Sequence, residues 1–558
     1  MQKINKLFLL LICVLFLISC NTLKQPSFVP KPLDYTDEDI VKNEIKTINE
    51  FLDAEPIKAL YRSVLLGDEE VISKSLDKVV EVTEKAYEEG NHTKAYKYYK
   101  SIKLVLEKSS LYNPLLVISE EDKNKLKYSD KEIASLIKDD VPALSIDASD
   151  NNKAPQRMED CINATATIWV DRGVKVEKGA GYADIIIGSG FFIDKRGYLV
   201  TNYHVIDSMV NPKYEGYSRL YIKLPSNMEN KIPAKVVGYD SLLDLALLKV
   251  EIEPEFVLNL GSSDGLRVGD KVSAIGTPLG LEGTLTSGII SATDRKLLNM
   301  GDVFQLDAAV NSGNSGGPLI DKNMNVQAIV FAGIPQFQGL NFAIPIEYLI
   351  QELPRLYEGG EVVHPWIGAS GKTKKNGNKK TGLEIQYVMP GSSAFMAGLS
   401  VGDVIVEIDD RNVSSLEDFQ YVMLGYENET ILTMKYIPFD NQSSVKEILI
   451  YLDKRPKAPS KEIYNTDYIT NAFVPLFGME LINSSTLNKN SFTITKVLDN
   501  SPADELSFSV NDIIEVREVT FDDENDALYV TVYTKRQKKG FFDIIMGLGT
   551  NYDSPYYF

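Results

Sequence analysis

Six consecutive residues, Gly313-Asn314-Ser315-Gly316-Gly317-Pro318, set a serine among glycines. A serine hydroxyl is a weak nucleophile until a base takes its proton. Acyl transfer also needs N–H groups aimed at the oxyanion that develops on the attacked carbonyl. Glycines on both sides allow a tight turn that points successive amides into one space. The backbone amides of Gly313, Asn314 and Ser315 are therefore the expected oxyanion donors. The base has few candidates, because the chain holds three histidines: His92, His204 and His364. His204 follows the apolar run Tyr198-Leu199-Val200-Thr201, at the end of an expected strand. A third group must orient the imidazole and stabilise its charged form. Asp244, which opens the run Leu245-Ala246-Leu247-Leu248, is the candidate, and Asp240 in the preceding turn is its rival.

The elements around these residues follow from periodicity. From about Cys161 onward, short β-rich runs alternate with Gly, Pro, Asn and Asp. Examples are Ser189-Gly190-Phe191-Phe192-Ile193, Leu220-Tyr221-Ile222-Lys223-Leu224 and Lys271-Val272-Ser273-Ala274-Ile275. About a dozen such runs point to paired barrels, closed by a helical run from Ile346 to Tyr357. Residues 36–140 read as a helical domain, with Ile57, Leu60 and Val64, then Ile72, Leu76, Val79 and Val80, at helical spacing. The stretch from Ala86 to Tyr96 resembles one tetratricopeptide unit, but a solenoid needs more copies, so a small bundle is expected. Residues 141–158 read as a linker. After 358, two units, 363–455 and 465–550, each carry a Gly-Ser or Ser-Pro turn before a short helix and then a strand with Asp. This is an internal repeat of domain size.

Apolar residues make up 44% of the 558 and charged residues 25%, as in folded protein, and the formal charge of −19 argues against nucleic acid as a partner. Lys3 and Lys6 precede an apolar run from Leu7 to Ile18, which reads as a secretory leader. Leu17-Ile18-Ser19-Cys20 resembles the bacterial lipobox. That resemblance implies a lipoprotein signal peptide over 1–20, lipid on Cys20, a polar tether over 21–35 and a place on a membrane of the cell envelope, periplasmic or outer-surface. Cys161 is then the one cysteine of the mature body and reads as a small buried residue. No spacing of Cys, His or carboxylates suggests a metal, and no cofactor is expected.

The chain order His, Asp, Ser is that of trypsin-type enzymes. Gly188-Ser189-Gly190-Phe191-Phe192-Ile193, Thr201-Asn202-Tyr203-His204, Asp244-Leu245-Ala246-Leu247-Leu248-Lys249, Ile275-Gly276-Thr277-Pro278-Leu279-Gly280 and Asn341-Phe342-Ala343-Ile344-Pro345 resemble the HtrA/DegP-like serine proteases. The resemblance implies a multidomain chain: an all-β, trypsin-like double β-barrel protease over 159–358, an α-helical domain before it and two PDZ-like α+β domains after it. It also implies ATP-independent degradation of misfolded or damaged envelope proteins, regulation by PDZ peptide binding, and assembly as trimers or their multiples. Ala309, six residues before Ser315, would then floor the pocket for the residue preceding the cut and favour small or medium apolar side chains. Trp366, Ile367 and Gly368 match the loop with which a PDZ domain holds a peptide C-terminus; Trp366 reads equally well as core. Leu476-Phe477-Gly478-Met479 is the divergent counterpart in the second unit. Tyr203 stands where the family often has Asn, and the stretch between Trp169 and Ile187 is short where the family carries a regulatory loop. Two other functions fit the same residues: a chaperone or peptide-binding protein with little proteolysis, and a regulatory protease dedicated to one membrane-protein substrate.

Overall fold

A computed structural model describes residues 37–111 and 154–558, except 215, 278–282, 312, 334–339, 487 and 538–540, together with residues 26 and 29. Cys20 with the expected leader, most of the expected tether, and residues 112–153 lie outside the described residues.

The helical region opens with α1 (Glu38–Ala54), α2 (Pro56–Leu66), α3 (Glu69–Glu88) and α4 (His92–Lys108). Their boundaries are written in the sequence. Asp37, Asp68 and Asn91 cap α1, α3 and α4 through their side chains, Pro56 opens α2, and Gly67 ends it in the left-handed region at φ 74°. Helices α2–α4 bury Leu60, Tyr61, Leu76, Tyr98 and Ile102 in one cluster that also contains Ile431, Leu449 and Tyr451 from far along the chain, while Ile48 and Leu52 of α1 pack with Ala59 of α2.

Twelve strands follow. The first six are β1 (Thr165–Glu177), β2 (Ala180–Asp194), β3 (Tyr198–Thr201), β4 (Arg219–Leu224), β5 (Asn227–Asp240) and β6 (Leu245–Val250). They pair in the order β5-β4-β1-β2-β3-β6, and β6 returns to β5, which closes a barrel. The stretch expected to be a short loop is the β1–β2 hairpin, which turns at Lys178 and Gly179 with φ of 51° and 80°. The next six are β7 (Lys271–Gly276), β8 (Thr284–Arg295), β9 (Val303–Leu306), β10 (Pro318–Ile320), β11 (Val326–Gly333) and β12 (Asn341–Pro345), and they close a second barrel. Between them Phe191, Val200, Leu245, Leu247, Ile275, Ile320 and Ile344 form a common core, with Cys161 buried in it. Burial pushes the Cys161 thiol up to about 11.

Two smaller units complete the chain, so the fold is a trypsin-like double barrel with helices before it and two PDZ-like domains after it. The first is built from β14 (Pro365–Trp366), β15 (Ala369–Asn376), β16 (Lys379–Val388), β17 (Val404–Ile408), β18 (Arg411–Asn412), β19 (Thr430–Ile437) and β20 (Lys446–Lys454), after the two-residue β13 (Gly360–Glu361), which pairs back to β5. The second unit runs β21 (Met479–Asn483), β22 (Ser491–Val497), β23 (Ile513–Asp522), β24 (Ala527–Gln537) and β25 (Phe541–Asn551) in sequential order. Strands β19 and β20 alternate their side chains. Leu432, Met434, Ile450 and Leu452 fill their own domain, whereas Ile431, Leu449 and Tyr451 face α2–α4. Lys58 Nζ to Asp453 Oδ1 at 2.7 Å and Ile431 N to Ser101 Oγ at 3.2 Å fix that contact.

Helix α5 (Ile346–Glu358) holds the protease to the first PDZ-like unit. Its Glu352 is bound by Arg355, whose Nη2 also donates to Leu424 O at 2.7 Å. Beside them, His364 Nε2 donates to Asp240 Oδ2 at 2.8 Å, with both side chains buried. Asp240 also accepts from the amides of Leu242 (2.9 Å) and Leu243 (3.0 Å). Burial raises the pKa of the Asp240 carboxyl, but His364 and the amides outweigh burial and hold it below the ordinary value. Burial instead pushes Glu352 up to about 7. Asp240, Glu352 and His364 could offer three ligand atoms within 4.8 Å of one another, a cluster not legible in spacing because it joins three distant segments. The Arg355 cation bound to Glu352 makes it a poor place for a metal. Removing one partner of such a pair strands a buried charge. His364→Ala is expected to cost about 3–5 kcal/mol, read as a lowered calorimetric midpoint for the protease and first PDZ-like unit. An unchanged midpoint would remove this pair from the junction.

Candidate active site

His204 is the second residue of a two-turn helix, Tyr203–Val210, that starts just after β3. Asp244 occupies the turn from β5 into β6 with φ of 54°, in the left-handed region that Asp tolerates better than most residues. That conformation lets one residue serve four partners. Its carbonyl accepts from Tyr203 N at 3.2 Å and Asn202 Nδ2 at 2.8 Å. Its Oδ1 accepts from His204 N at 2.8 Å, and its Oδ2 lies 2.7 Å from His204 Nδ1. The carboxylate fixes the proton on Nδ1 and leaves Nε2 as the acceptor. The imidazole is 47% exposed, while the aspartate side chain is 12% exposed. Burial would lower the pKa of the imidazole, but the hydrogen bond and charge of Asp244 outweigh it, and the net shift is upward. Asp240, the rival acid, is engaged by His364 and does not reach His204.

Ser315 stands in the turn before β10. Gly313 and Gly316 flank it with φ of 105° and 85°, conformations that a side chain would strain. Space also excludes a side chain at Gly316. A Cβ there would sit 2.2 Å from Ser189 O and 2.3 Å from Thr201 Oγ1. The turn is tied to the first barrel by Ser189, whose amide donates to Ser315 O (2.7 Å) and whose Oγ donates to Gly313 O (2.6 Å). The Gly313 carbonyl thus faces Ser189. Gly316 N donates to Val330 O at 2.7 Å. The amides of Gly313 and Ser315 have no acceptor among the described residues. Asn314 differs from the expectation: its amide donates to Asn311 O at 3.0 Å, because the turn folds back on itself there, and it is not free for an oxyanion. Ser315 Oγ donates to Phe331 O at 3.2 Å, so the hydroxyl rests on β11 rather than on His204. Gly188 marks how closely the parts approach, since a Cβ there would lie 2.7 Å from Val205 and 3.3 Å from Ser315 O.

Ala309 is exposed rather than set in an enclosed floor, its carbonyl accepting from Thr286 Oγ1 at 2.8 Å. For Trp366, of the peptide-loop and core readings, the structure favours core. Its ring is buried beneath the Arg455 guanidinium, 5.0 Å away, and packs with Tyr387, Phe473 and Phe477 between the two PDZ-like units. It is core, because a large apolar ring pays least in water-free packing. Ile367 is buried in the first unit, and Gly368, at φ 79°, turns the chain into β15. Ser189 and Asn202 carry contacts that their sequence context did not assign to them.

The family comparisons agree with this layout. Residues 188–329 match the trypsin-like peptidase domain, 384–433 a PDZ domain, 460–552 the TP0546 family PDZ domain, and 39–137 a domain of unknown function. Protease Do-like 14 of Arabidopsis thaliana is 30% identical over 332 residues, which cover 54% of this chain and 77% of that protein. The chain belongs to the HtrA/DegP-like (Do-like) serine protease family. A periplasmic serine endoprotease DegP-like of Hahella chejuensis is 38% identical over 248 residues, 42% of this chain and 51% of its own length. The chain spans about half the length of such bacterial curated relatives. Among solved structures, the HtrA-type protease AlgW with tripeptide is 28% identical at a TM-score of 0.45, covering 56% of this chain and 98% of that one.

In this HtrA/DegP-like chain the hydrogen bond to Asp244, together with its charge, is what lifts the imidazole. His204, followed by proton NMR, is expected to titrate above the ordinary value of about 6.5. Asp244→Asn leaves burial as the dominant effect and should bring the titration below that value. A midpoint unmoved by the substitution would contradict the assigned cause.

Proposed function

We propose that the chain is a serine endopeptidase with Ser315 as nucleophile, His204 as general base and then acid, and Asp244 as the group that orients it. The observation that carries this reading is the His204–Asp244 pair at 2.7 Å, set beside a serine turn whose Gly313 and Ser315 amides are unengaged among the described residues. Rotation of the Ser315 side chain away from Phe331 O frees the hydroxyl for His204 Nε2. The base takes the proton as Oγ attacks the scissile carbonyl, and the two amides receive the oxyanion. His204, now charged and stabilised by Asp244, passes that proton to the leaving amine. A water then repeats the cycle to release the acyl group. No step calls for a metal or organic cofactor.

The substrates proposed are unfolded or damaged proteins of the cell envelope, degraded without ATP, with peptide C-termini held at the first PDZ domain. The periplasmic naming of relatives supports an envelope location, and Leu17-Ile18-Ser19-Cys20 supports a lipid anchor at Cys20. Assembly as a homotrimer or a multiple is proposed from family membership alone. The small Ala309 side chain still supports preference for small or medium apolar residues before the cut, from an open rather than enclosed position.

The purified protein is expected to cleave unfolded casein, and Ser315→Ala to abolish that cleavage. Asp244→Asn should lower kcat by about 10⁴-fold, the size of effect seen when the orienting acid of a triad is lost. Equal cleavage by the wild type and Ser315→Ala would assign the activity elsewhere. Absence of cleavage from both, with hydrophobic C-terminal peptides present, would favour the peptide-binding protein.

A further inference from the structure

The edge of the first PDZ domain is not bare. Its sheet runs β14-β20-β19-β17-β16-β15, which leaves β15 as an edge strand. An open edge is a template for strand addition, the way PDZ domains take extended peptides. Here the position beside β15 is filled by residues Pro555–Phe558 of the same chain. Ala369 N donates to Phe558 O and Phe558 N to Ala369 O, both at 2.9 Å, and Gly371 N donates to Tyr556 O at 3.1 Å. Ser370 and Tyr557 face each other in the antiparallel sense. The other wall is helix α6 (Leu416–Leu424), where Gln420 Nε2 donates to Pro555 O at 2.7 Å.

Side chains of the segment alternate as strand geometry requires. Phe558 points into the first PDZ domain, is buried, and sets its ring 4.7 Å from that of Phe419 on α6. Gly371 leaves the space for it, since a Cβ there would lie 3.1 Å from the tip of the Phe558 ring. Tyr557 points the opposite way into the second PDZ domain, where its hydroxyl donates to Pro475 O at 3.1 Å. Gln420 couples this segment to the protease as well, because its Oε1 accepts from Gly301 N of the second barrel at 3.2 Å.

We propose that this groove is a peptide site selecting a large aromatic residue for the pocket at Phe419, and that the chain fills it with its own Pro555–Phe558 segment, which any peptide in trans must displace. The proposal deepens the peptide-binding reading of the first PDZ domain and is independent of the catalytic one. A tethered segment competes at an effective concentration of about millimolar, so a free peptide binds the intact chain weakly and a vacated groove well.

The test uses the full chain carrying Ser315→Ala, so that no probe is cut. A fluorescent peptide of residues 551–558 is titrated by polarisation into that chain, into one lacking Tyr556–Phe558, and into Phe558→Ala, which keeps the Tyr557 anchor if the deletion unfolds the second PDZ domain. Affinity is expected to rise at least about tenfold in both altered chains, and to be lost when the peptide carries Ala in place of its Phe. Amide exchange at Ala369 and Gly371 should accelerate in the altered chains and slow again when the peptide is added. Equal peptide affinity in intact and altered chains overturns occupancy by the segment, whatever the catalytic result. Binding to none of them overturns peptide capture at this groove altogether.

Discussion

Ser189 is the residue on which the site depends. It belongs to the first barrel, is fully buried, and reaches across to the Ser315 turn of the second with two hydrogen bonds, from its amide to Ser315 O and from its hydroxyl to Gly313 O. Its own carbonyl accepts from Thr201 Oγ1, three residues before His204, and its Oγ accepts from Thr277 N. The proposed base and nucleophile lie on different barrels, so their relation is fixed only as well as the seam between the barrels. A few buried, satisfied polar bonds hold that seam more exactingly than apolar packing alone, which tolerates small slides. The same bonds turn the Gly313 carbonyl toward Ser189.

At the site, backbone strain falls on Asp244. Asp244 accepts a left-handed conformation and in return engages Asn202, Tyr203 and both the amide and ring of His204. Such strain persists only where surrounding contacts over-determine it. A different polar cluster, Asp240 with His364 and Glu352 with Arg355, fixes the protease to the first PDZ domain through α5. The helical bundle grips the far face of that domain at β19 and β20. The first PDZ domain is therefore gripped on several sides: by the protease, the bundle, and the Ser554–Phe558 stretch with the second PDZ domain behind it.

The local parts of this arrangement were legible in the sequence. The helical spacing of Ile57, Leu60 and Val64, the short β-rich runs from Cys161 onward, and the glycine-flanked serine each carry their physics in a few neighbouring residues. The pairing of His204 with Asp244 was also readable, because an acid opening an apolar strand has little reason to be there unless it is engaged. What was not legible depends on long-range contact. Nothing near Asn314 says that its amide turns back to Asn311. The burial of Trp366 under Arg455 needs the second PDZ domain to be in place, and the seating of Phe558 against Phe419 joins residues far apart in the chain. The buried Asp240–His364 pair likewise resolves the choice between two aspartates only once β5 and residue 364 are brought together.

The central claim is that His204, held by Asp244, makes Ser315 the reactive serine of this chain. A fluorophosphonate probe, which phosphonylates serines activated by a neighbouring base with loss of fluoride, followed by peptide mapping, tests it without any assumption about substrate. The account predicts one adduct, on Ser315, that disappears in His204→Ala while the protein stays folded. Labelling that persists in His204→Ala, or that falls on another serine, would contradict it.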